Sequence, residues 1–277
     1  MNWFSQLKKE IVLQASKAIP ITISKGICRG MRVFGDLFYN RRSADLNDEE
    51  IFYSSLDLRG KVVIEAGAHM GIYSIYFASR VEGGRLISFE PNPVSYDFIR
   101  RNLKLNGFDN AVAVHAGLSN QPGVLKLTSN RFNRSVGTFR QDKSKSFKAD
   151  RVPLIEAEVP VTTVDETVRK YALPRVDFVK IDTEGFESFV IEGMKATLQT
   201  TDLILYFEVH GFTPELQRAD LERIWRFVSP LDYQVVKLEK GLTGVTEASL
   251  PTLAGGAYVA FKALTRDLQK ALQHWQA

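Results

Sequence analysis

VVIEAGAHMGIYS spans residues 62–74 and combines an apolar strand, a glycine turn and the start of a helix. The strand, predicted at Lys61–Glu65, belongs to a near-continuous apolar run, which is typical of strands covered on both faces of a sheet. Gly67 and Gly71 bracket the turn, where glycine lets the backbone approach a ligand and the helix N-terminus offers free N–H groups. We therefore expect a ligand site at the end of this strand.

The same alternation of apolar runs and helix-period segments continues along the chain and predicts an α/β fold. Further strands are predicted at Arg85–Glu90, Ala111–His115, Val176–Asp182, Leu203–Val209, Tyr233–Leu238 and Ala257–Lys262. Helices are predicted at Ile72–Arg80 and Val94–Leu105, from Phe186 to Leu198, and around Leu221 to Val228. Such βαβ units form a mostly parallel sheet with helices on both faces, and ligands bind beyond its carboxyl strand ends.

Composition limits the class of protein. The chain has 277 residues, of which 44% are hydrophobic and 25% charged, as in ordinary globular proteins. The formal charge of +4 is too small to indicate a nucleic-acid partner. Cys28 is the single cysteine, so an internal disulfide is excluded and a cytoplasmic location is expected. The sequence has no apolar run approaching the roughly 20 residues of a membrane span.

The N-terminal segment is predicted to be an extension of the main domain. We divide the chain into a helical extension, residues 1–50, and a catalytic domain, residues 51–277. Asn2 to Ala18 has the pattern of an amphipathic helix. This helix either packs on the main domain or makes peripheral contact with a membrane surface, and the sequence leaves both open.

A basic segment at residues 129–151 interrupts the alternation. It carries seven Arg or Lys residues against two Asp residues and has no clear period. A loop of this length inside a compact domain is usually functional or disordered, so we interpret it as a solvated loop or a substrate lid. Arg131 and Arg134 are the residues we expect to grip an anionic acceptor, because arginine binds carboxylate and phosphate in a bidentate fork.

An acidic residue after the second strand indicates the type of cofactor. Glu90 lies 19 residues beyond Gly71 and ends its strand, where a carboxylate can take both hydroxyls of a ribose. The turn reads G-A-H-M-G and lacks the middle glycine that a dinucleotide pyrophosphate requires. S-adenosylmethionine has no phosphate, and Glu65 before the turn suits its cationic end. These spacings favour S-adenosylmethionine over a dinucleotide.

At this point the sequence resembles the FkbM-type family of S-adenosylmethionine-dependent methyltransferases. The resemblance rests on VVIEAGAHMGIYS at 62–74, FEPNP at 89–93, NLKLNG at 102–107, AGLSN at 116–120, KIDTEGFE at 180–187 and LYFEVHG at 205–211. Two residues depart from the usual pattern: Glu65 is commonly Asp, and His69 is often Asn.

The resemblance implies a Rossmann-like class I methyltransferase sandwich with a seven-stranded sheet. It implies that Glu65, Gly67 and Gly71 line the methionine end of the cofactor and that Glu90 binds the ribose. The remaining expected cofactor contacts are Ala68, His69, Pro91, Asn92 and Asp182, with Ser119 and Asn120 flanking the adenine. Enzymes of this family mostly methylate hydroxyl oxygens of sugars and polyketides.

Acidic residues and a histidine end the fourth and fifth strands. Asp182 with Glu184, and Glu208 with His210, are two residues apart and so point the same way on their strands. A hydroxyl acceptor needs a general base, and Asp182 and His210 are the two candidates. A second hypothesis places Mg²⁺ or Mn²⁺ on Asp182, Glu184 and Glu208, because hard cations take oxygen ligands.

The predicted function is S-adenosylmethionine-dependent O-methylation of a small-molecule or glycan acceptor, which could be anionic. N-methylation of a small molecule or nucleic acid is an alternative, although the N/D-P-P-Y/F segment of base methyltransferases is absent after the fourth strand. A nicotinamide-dependent sugar oxidoreductase would need G-x-G-x-x-G and a Tyr-x-x-x-Lys pair. A binding module without chemistry would have lost Glu90 or Asp182, and both are present.

Overall fold

Strand order in the computed structural model follows the predicted α/β pattern. The structure describes residues 11–12, 14–37, 39–41, 45–130, 137–140, 154–211 and 213–276. Arg131 and Arg134, most of the basic segment, and the first half of the predicted Asn2 to Ala18 helix lie outside these residues. Fourteen strands are assigned within the described part: β1 Ile21–Thr22, β2 Arg32–Val33, β3 Val62–Ala66, β4 Arg85–Phe89, β5 Ala111–Val114, β6 Gly117–Leu118, β7 Gly123–Asn130, β8 Gly137–Thr138, β9 Leu154–Thr162, β10 Phe178–Ile181, β11 Ile204–Val209, β12 Gln234–Lys237, β13 Thr243–Gly244 and β14 Gly256–Phe261.

The main sheet has the order β13-β12-β14-β11-β10-β3-β4-β5. Strands β11, β10, β3, β4 and β5 are parallel, whereas β14 runs antiparallel to both of its neighbours. This confirms the Rossmann-like class I methyltransferase fold. The sheet has eight strands instead of the predicted seven, because the two-residue β13 pairs with β12 at one edge.

Helices cover both faces of the main sheet, as predicted. The α-helices are α1 Asp48–Ser55, α2 Ile72–Arg80, α3 Pro93–Leu105, α4 Val164–Lys170, α5 Glu187–Glu192, α6 Lys195–Thr200, α7 Pro214–Val228 and α8 Arg266–Leu272. Short 3-10 helices lie at Tyr39–Arg41, Ser229–Leu231, Leu250–Thr252 and Gln273–Trp275. Successive residues of β3 enter different cores: Val62 and Ile64 pack with α5 to α7, and Val63 packs with α1, α2 and α8.

A second sheet, of order β6-β9-β7-β8, was not predicted from the sequence. Its long strands β7 and β9 are antiparallel and expose Val124 and Ile155 to solvent, so they lack the apolar run that identified the other strands. Described residues of the basic segment belong to it: Ser129 and Asn130 close β7, and Gly137 begins β8. These residues are therefore strand and not loop.

The N-terminal extension is only partly helical. Residues 11–12 and 14–18 are helical, but β1 and β2 then form an antiparallel hairpin. The expected boundary at residue 50 falls inside α1, whose N-terminus is closed by a capping box between Asn47 and Glu50. Among the described residues, no helix is long and apolar enough to cross a membrane.

The single helix predicted from Phe186 to Leu198 is two helices, α5 and α6, separated at Gly193. A Cβ atom at Gly193 would lie 2.0 Å from the carbonyl oxygen of Ser119. The chain therefore turns where its backbone passes against the loop after β6. Apolar periodicity continues through this break because Val190, Met194 and Leu198 all remain buried.

We expect Gly193→Ala to lower the free energy of unfolding by about 2 kcal/mol, because the added methyl group meets backbone that must move. Urea denaturation measures the change. Gly123→Ala is the matched control, since nothing lies within 4 Å of a Cβ atom there. Equal stabilities of the two variants would contradict the close approach at Gly193.

Candidate active site

Two adjoining cavities lie beyond the carboxyl ends of β3, β4 and β10. The first, here called the Glu90 cavity, has a volume of about 150 Å³ and is lined by Gly67, His69, Phe89, Glu90, Pro91, Asn92, Gly117, Leu118, Leu127, Gly137, Phe139, Asp182, Thr183 and Glu184. The second, the Tyr73 cavity, has about 250 Å³ and is lined by Lys25, Gly26, Tyr39, Asp45, Asn47, Glu50, Gly67, Ala68, His69, Met70, Ile72, Tyr73, Lys180 and Asp182. Gly67, His69 and Asp182 line both, so they mark the junction.

The turn after β3 is held against neighbouring strand ends. The N–H groups of Gly67 and Ala68 both donate to the carbonyl of Phe89 at 3.1 Å. Gly67 has φ of +78°, and a Cβ atom on it would lie 1.7 Å from the carbonyl oxygen of Asp182. Only glycine fits this position. The turn residues Gly67, Ala68 and His69 thus border the cavities, as the sequence predicted.

Glu90 faces the cavity that bears its name. Its two carboxylate oxygens accept the backbone N–H groups of His69 and Asn92, each at 2.8 Å. Burial raises the pKa of Glu90 to about 8, against the lowering effect of these two donors. Pro91 and Asn92 line the same wall, and the Asn92 side chain caps α3. The residues predicted to bind the ribose side of the cofactor, Glu90, Pro91 and Asn92, thus lie together on one wall of the cavity.

Glu65 does not reach the cavity wall, contrary to the prediction. The residue is fully buried, and its Oε2 accepts hydrogen bonds from Ser74 at 2.6 Å and Ser88 at 2.7 Å. Burial raises the pKa of Glu65. Gly71 is likewise absent from the described lining and begins α2 beneath the turn. Glu65 and Gly71 therefore hold the turn in place from outside the described cavity lining.

Ser119 and Asn120 were predicted to flank the adenine, and the structure turns them away from the cavity. Pairing of β6 with β9 presents Gly117 and Leu118 to the Glu90 cavity instead. The chain then bends toward α5, where the Asn120 amide donates to Glu192 at 3.0 Å. Strand pairing with β9, distant in sequence, sets which residues of this stretch face inward, and Ser119 and Asn120 are not among the residues that line the described cavity.

Asp182 forms a buried ion pair at the junction of the cavities. Lys180 Nζ lies 3.0 Å from Asp182 Oδ2 and donates to the carbonyl of Gly67 at 3.4 Å. Burial alone would raise the pKa of Asp182, but the Lys180 charge outweighs it and the pKa is lowered. Burial likewise opposes the charge on Lys180, and Asp182 overcomes it to raise that pKa. Both groups are therefore ionised.

His210 is surrounded by carboxylates. Its Nδ1 lies 3.3 Å from Glu187 Oε1, and its Nε2 lies 3.3 Å from Glu208 Oε2 and 3.8 Å from Asp182 Oδ1. Burial alone would lower the pKa of His210, but these carboxylates raise it to about 11. The imidazole is therefore protonated at neutral pH and cannot accept a proton, which argues against His210 as the general base.

The predicted metal set is not assembled as expected. Ligand atoms of Asp182, Glu208 and His210 lie within 4.8 Å of one another, and within the described residues this group does not include Glu184. Glu184 adopts a left-handed φ of +56° and its carbonyl accepts a hydrogen bond from Thr138. A protonated His210 is the cation that faces both carboxylates here.

The structure places two further acidic residues at the site whose roles the sequence did not indicate. Glu187 is 1% exposed, and its Oε1 accepts the N–H groups of Thr183 and Gly185 as well as facing His210. It therefore fixes the turn after β10. The sequence indicated only an acidic residue in a first helical turn, which the helix dipole already explains.

Glu49, on α1, accepts hydrogen bonds from the hydroxyls of Tyr53 at 2.9 Å and Tyr73 at 3.0 Å. Burial raises its pKa to about 7, although Lys180 acts in the opposite direction. Because Tyr73 also lines the Tyr73 cavity, it connects the Glu49 carboxylate to that cavity. No sequence motif marks Glu49, since the fold alone brings α1 beside α2.

Comparison with known proteins identifies the family. The sequence model described as the methyltransferase FkbM domain matches residues 65–235. The chain belongs to this family. Membership confirms the resemblance seen in the motifs and supports a methyltransferase function with S-adenosylmethionine as donor.

The curated relatives are distant, and each match covers only part of this chain and part of the relative. Methyltransferase sdnD of Sordaria araneosa is 26% identical over 180 residues, which are 56% of this chain and 70% of that protein. The hexuronic acid methyltransferase AglP of Haloferax volcanii is 23% identical over 152 residues, 54% of this chain and 56% of that protein. A crystal structure of methyltransferase FkbM from Methylobacillus flagellatus superposes with a TM-score of 0.45 at 15% identity, covering 74% of this chain and 44% of that chain.

We expect Glu90→Ala to weaken binding of S-adenosylmethionine roughly 100-fold, because two hydrogen bonds between the ribose hydroxyls and the Glu90 carboxyl group are lost. Calorimetric titration with S-adenosylmethionine and with its demethylated product measures the change. Glu82→Ala, at an exposed position, is the control and should bind as the wild type does. Unchanged affinity in a folded Glu90→Ala protein would refute the assignment.

His210 makes stability depend on pH. Its folded pKa is raised from the ordinary 6.5 to about 11, so its contribution is complete below pH 6.5 and is lost as the pH rises through about 11. We expect His210→Gln to cost about 2 kcal/mol of unfolding free energy near neutral pH, with the difference from wild type shrinking at alkaline pH. Urea denaturation across this range tests it. The half-exposed His274→Gln is the control, and a constant difference for His210→Gln would contradict the raised pKa.

Proposed function

We propose that this chain transfers the methyl group of S-adenosylmethionine to a hydroxyl oxygen of a sugar, glycan or related natural product. The observation that carries the proposal is the position of Asp182, an ionised carboxylate that lines both cavities at their junction. One cavity offers the Glu90 corner for a ribose, and the other leads away past Tyr73. A carboxylate between donor and acceptor can take up the proton that a hydroxyl loses on methylation.

The residues of the Glu90 cavity fit the nucleoside part of the donor. Glu90 offers carboxylate oxygens to ribose hydroxyls, and Leu118, Leu127 and Phe139 supply apolar surface for the adenine. S-adenosylmethionine supplies an electrophilic methyl group when bound.

Asp182 is the residue we assign as proton acceptor. Lys180 holds Oδ2 and keeps the group ionised, while Oδ1 faces His210 at 3.8 Å. A carboxylate of low pKa is a weak base for a free alcohol. However, the hydroxyl proton becomes strongly acidic as the new bond to carbon forms, so an ionised Asp182 suffices. The imidazolium of His210 then orients the carboxylate.

An anionic sugar is the acceptor class that we favour. Gly137 and Phe139, in the middle of the basic segment, line the Glu90 cavity, and the Thr138 hydroxyl donates to the carbonyl of Glu184. Residues 137–139 thus border the site. Arg140 pairs with Asp220 at 2.6 Å. Arg131 and Arg134, in the same segment, are our proposed contacts to the acceptor. The hexuronic acid methyltransferase among the relatives supports this class.

The direct test uses S-adenosylmethionine with a tritiated methyl group and a panel of acceptors. Glucuronic acid, galacturonic acid and UDP-glucuronic acid are compared with glucose, each with and without added magnesium. Transfer to the acidic sugars, with a product stable to mild alkali, supports methylation of a hydroxyl. Alkali-labile product would instead identify a methyl ester and shift the acceptor atom to the carboxylate. Donor binding without transfer to any sugar would refute the acceptor class.

We expect Asp182→Asn to reduce methyl transfer at least 100-fold while changing the affinity for S-adenosylmethionine much less, because general-base catalysis typically contributes 10² to 10⁴. Rates are measured with whichever acidic sugar is methylated. Asp202→Asn, at a side chain 72% exposed, should leave the rate unchanged. Full activity of Asp182→Asn would remove Asp182 from the mechanism.

A further inference from the structure

The described part of the N-terminal helix, residues 11–12 and 14–18, exposes apolar side chains. Ile11, Ala15 and Ala18 are spaced at i, i+4 and i+7 and so share one side of the helix, and Ile19 follows directly after it. Ile11 is 59% exposed and Ile19 is 56% exposed. The polar Ser16 instead is 2% exposed and faces inward. The side of the helix that carries Ile11 therefore faces solvent.

Several contacts hold this helix in place. The N–H of Gly35 donates to the carbonyl of Ser16 at 3.0 Å. Arg101 of α3 donates to the carbonyl of Lys17 at 2.5 Å, and its guanidinium lies 3.9 Å from the ring centroid of Phe34. The exposed apolar side is therefore a fixed feature of the surface.

Basic side chains accompany the exposed apolar residues. Arg100, which is 66% exposed, and Lys104 lie on α3 next to Arg101. The exposed Arg32 is attached to the same helix, since its N–H donates to Asn106 at 2.9 Å. Asp97 offsets part of this charge through ion pairs with Arg100 and Arg101. We call the surface formed by Ile11, Lys17, Ala18, Ile19, Arg32, Arg100 and Lys104 the N-terminal face.

We propose that the N-terminal face docks on an anionic lipid bilayer. Apolar side chains on a helix beside lysine and arginine are the composition of helices that lie in the bilayer interface. Ile11 and Ile19 enter the boundary of the acyl chains, and Arg32, Arg100 and Lys104 contact the headgroups. A second copy of the chain fits less well, because two such faces would oppose like charges.

The test is co-sedimentation of the full chain with lipid vesicles. Vesicles of phosphatidylcholine alone are compared with vesicles that also contain phosphatidylglycerol, at low and high salt. We expect binding to the anionic vesicles, weakened by salt. Arg100→Gln with Lys104→Gln should weaken binding roughly 25-fold, and Ile11→Asp with Ile19→Asp should abolish it. The charge-matched control is Lys126→Gln with Arg226→Gln, at exposed positions elsewhere, which should bind almost as the wild type does.

Three results would overturn the proposal. The first is that the wild-type chain does not bind anionic vesicles. The second is that the variant with Ile11→Asp and Ile19→Asp binds them as tightly as the wild type. The third is that the two double charge variants lose vesicle affinity equally. Sedimentation equilibrium shows whether the chain is a dimer that Ile11→Asp with Ile19→Asp dissociates, and that outcome would assign the face to a second copy. Melting temperature and affinity for S-adenosylmethionine show that each variant is folded. These readouts do not involve the methyl acceptor, so failure here is separate from failure of the proposed function.

Discussion

The ion pair between buried Lys180 and half-buried Asp182 ties together the strand ends on which the site is built. A charge removed from water is tolerated only when it is closely paired and its remaining hydrogen-bonding capacity is used. Lys180 meets this condition by also donating to the carbonyl of Gly67. The turn after β3 and the end of β10 are thereby fixed to each other, with Gly67 packed so tightly on Asp182 that no side chain fits between them.

One further cation balances the charge of several carboxylates near this ion pair. Protonated His210 faces Glu187, Glu208 and Asp182, which come from α5, β11 and the end of β10. The arrangement explains why acidic residues crowd the ends of two neighbouring strands without repelling one another. It also agrees with the roles that we propose: protonated His210 orients the carboxylate beside it, and the ionised Asp182 accepts the proton.

Short sequence motifs predicted those features of the site that a few consecutive residues determine. The turn at Gly67 and the corner at Glu90 are each set by a few consecutive residues at a strand end, and the structure places both at a cavity. Ser119 and Asn120 lie outside the described cavity lining, and no local pattern could show this, because the orientation of this stretch depends on β6 pairing with β9, about 40 residues later. The basicity of His210 was misjudged for a similar reason: a side chain with an ordinary pKa near neutrality acquires a different one only when separate elements bring carboxylates around it.

The wall of the Tyr73 cavity is drawn from two separate parts of the chain. Lys25, Tyr39 and Asn47 line it, and all precede residue 65, where the match to the family begins. The glycine turn, Tyr73 and Lys180, which lie within the matched range, supply the rest. The lining of the Glu90 cavity, in contrast, lies entirely within that range. Substitutions in the leading segment would therefore reshape one cavity and change its charge without altering any residue that lines the other.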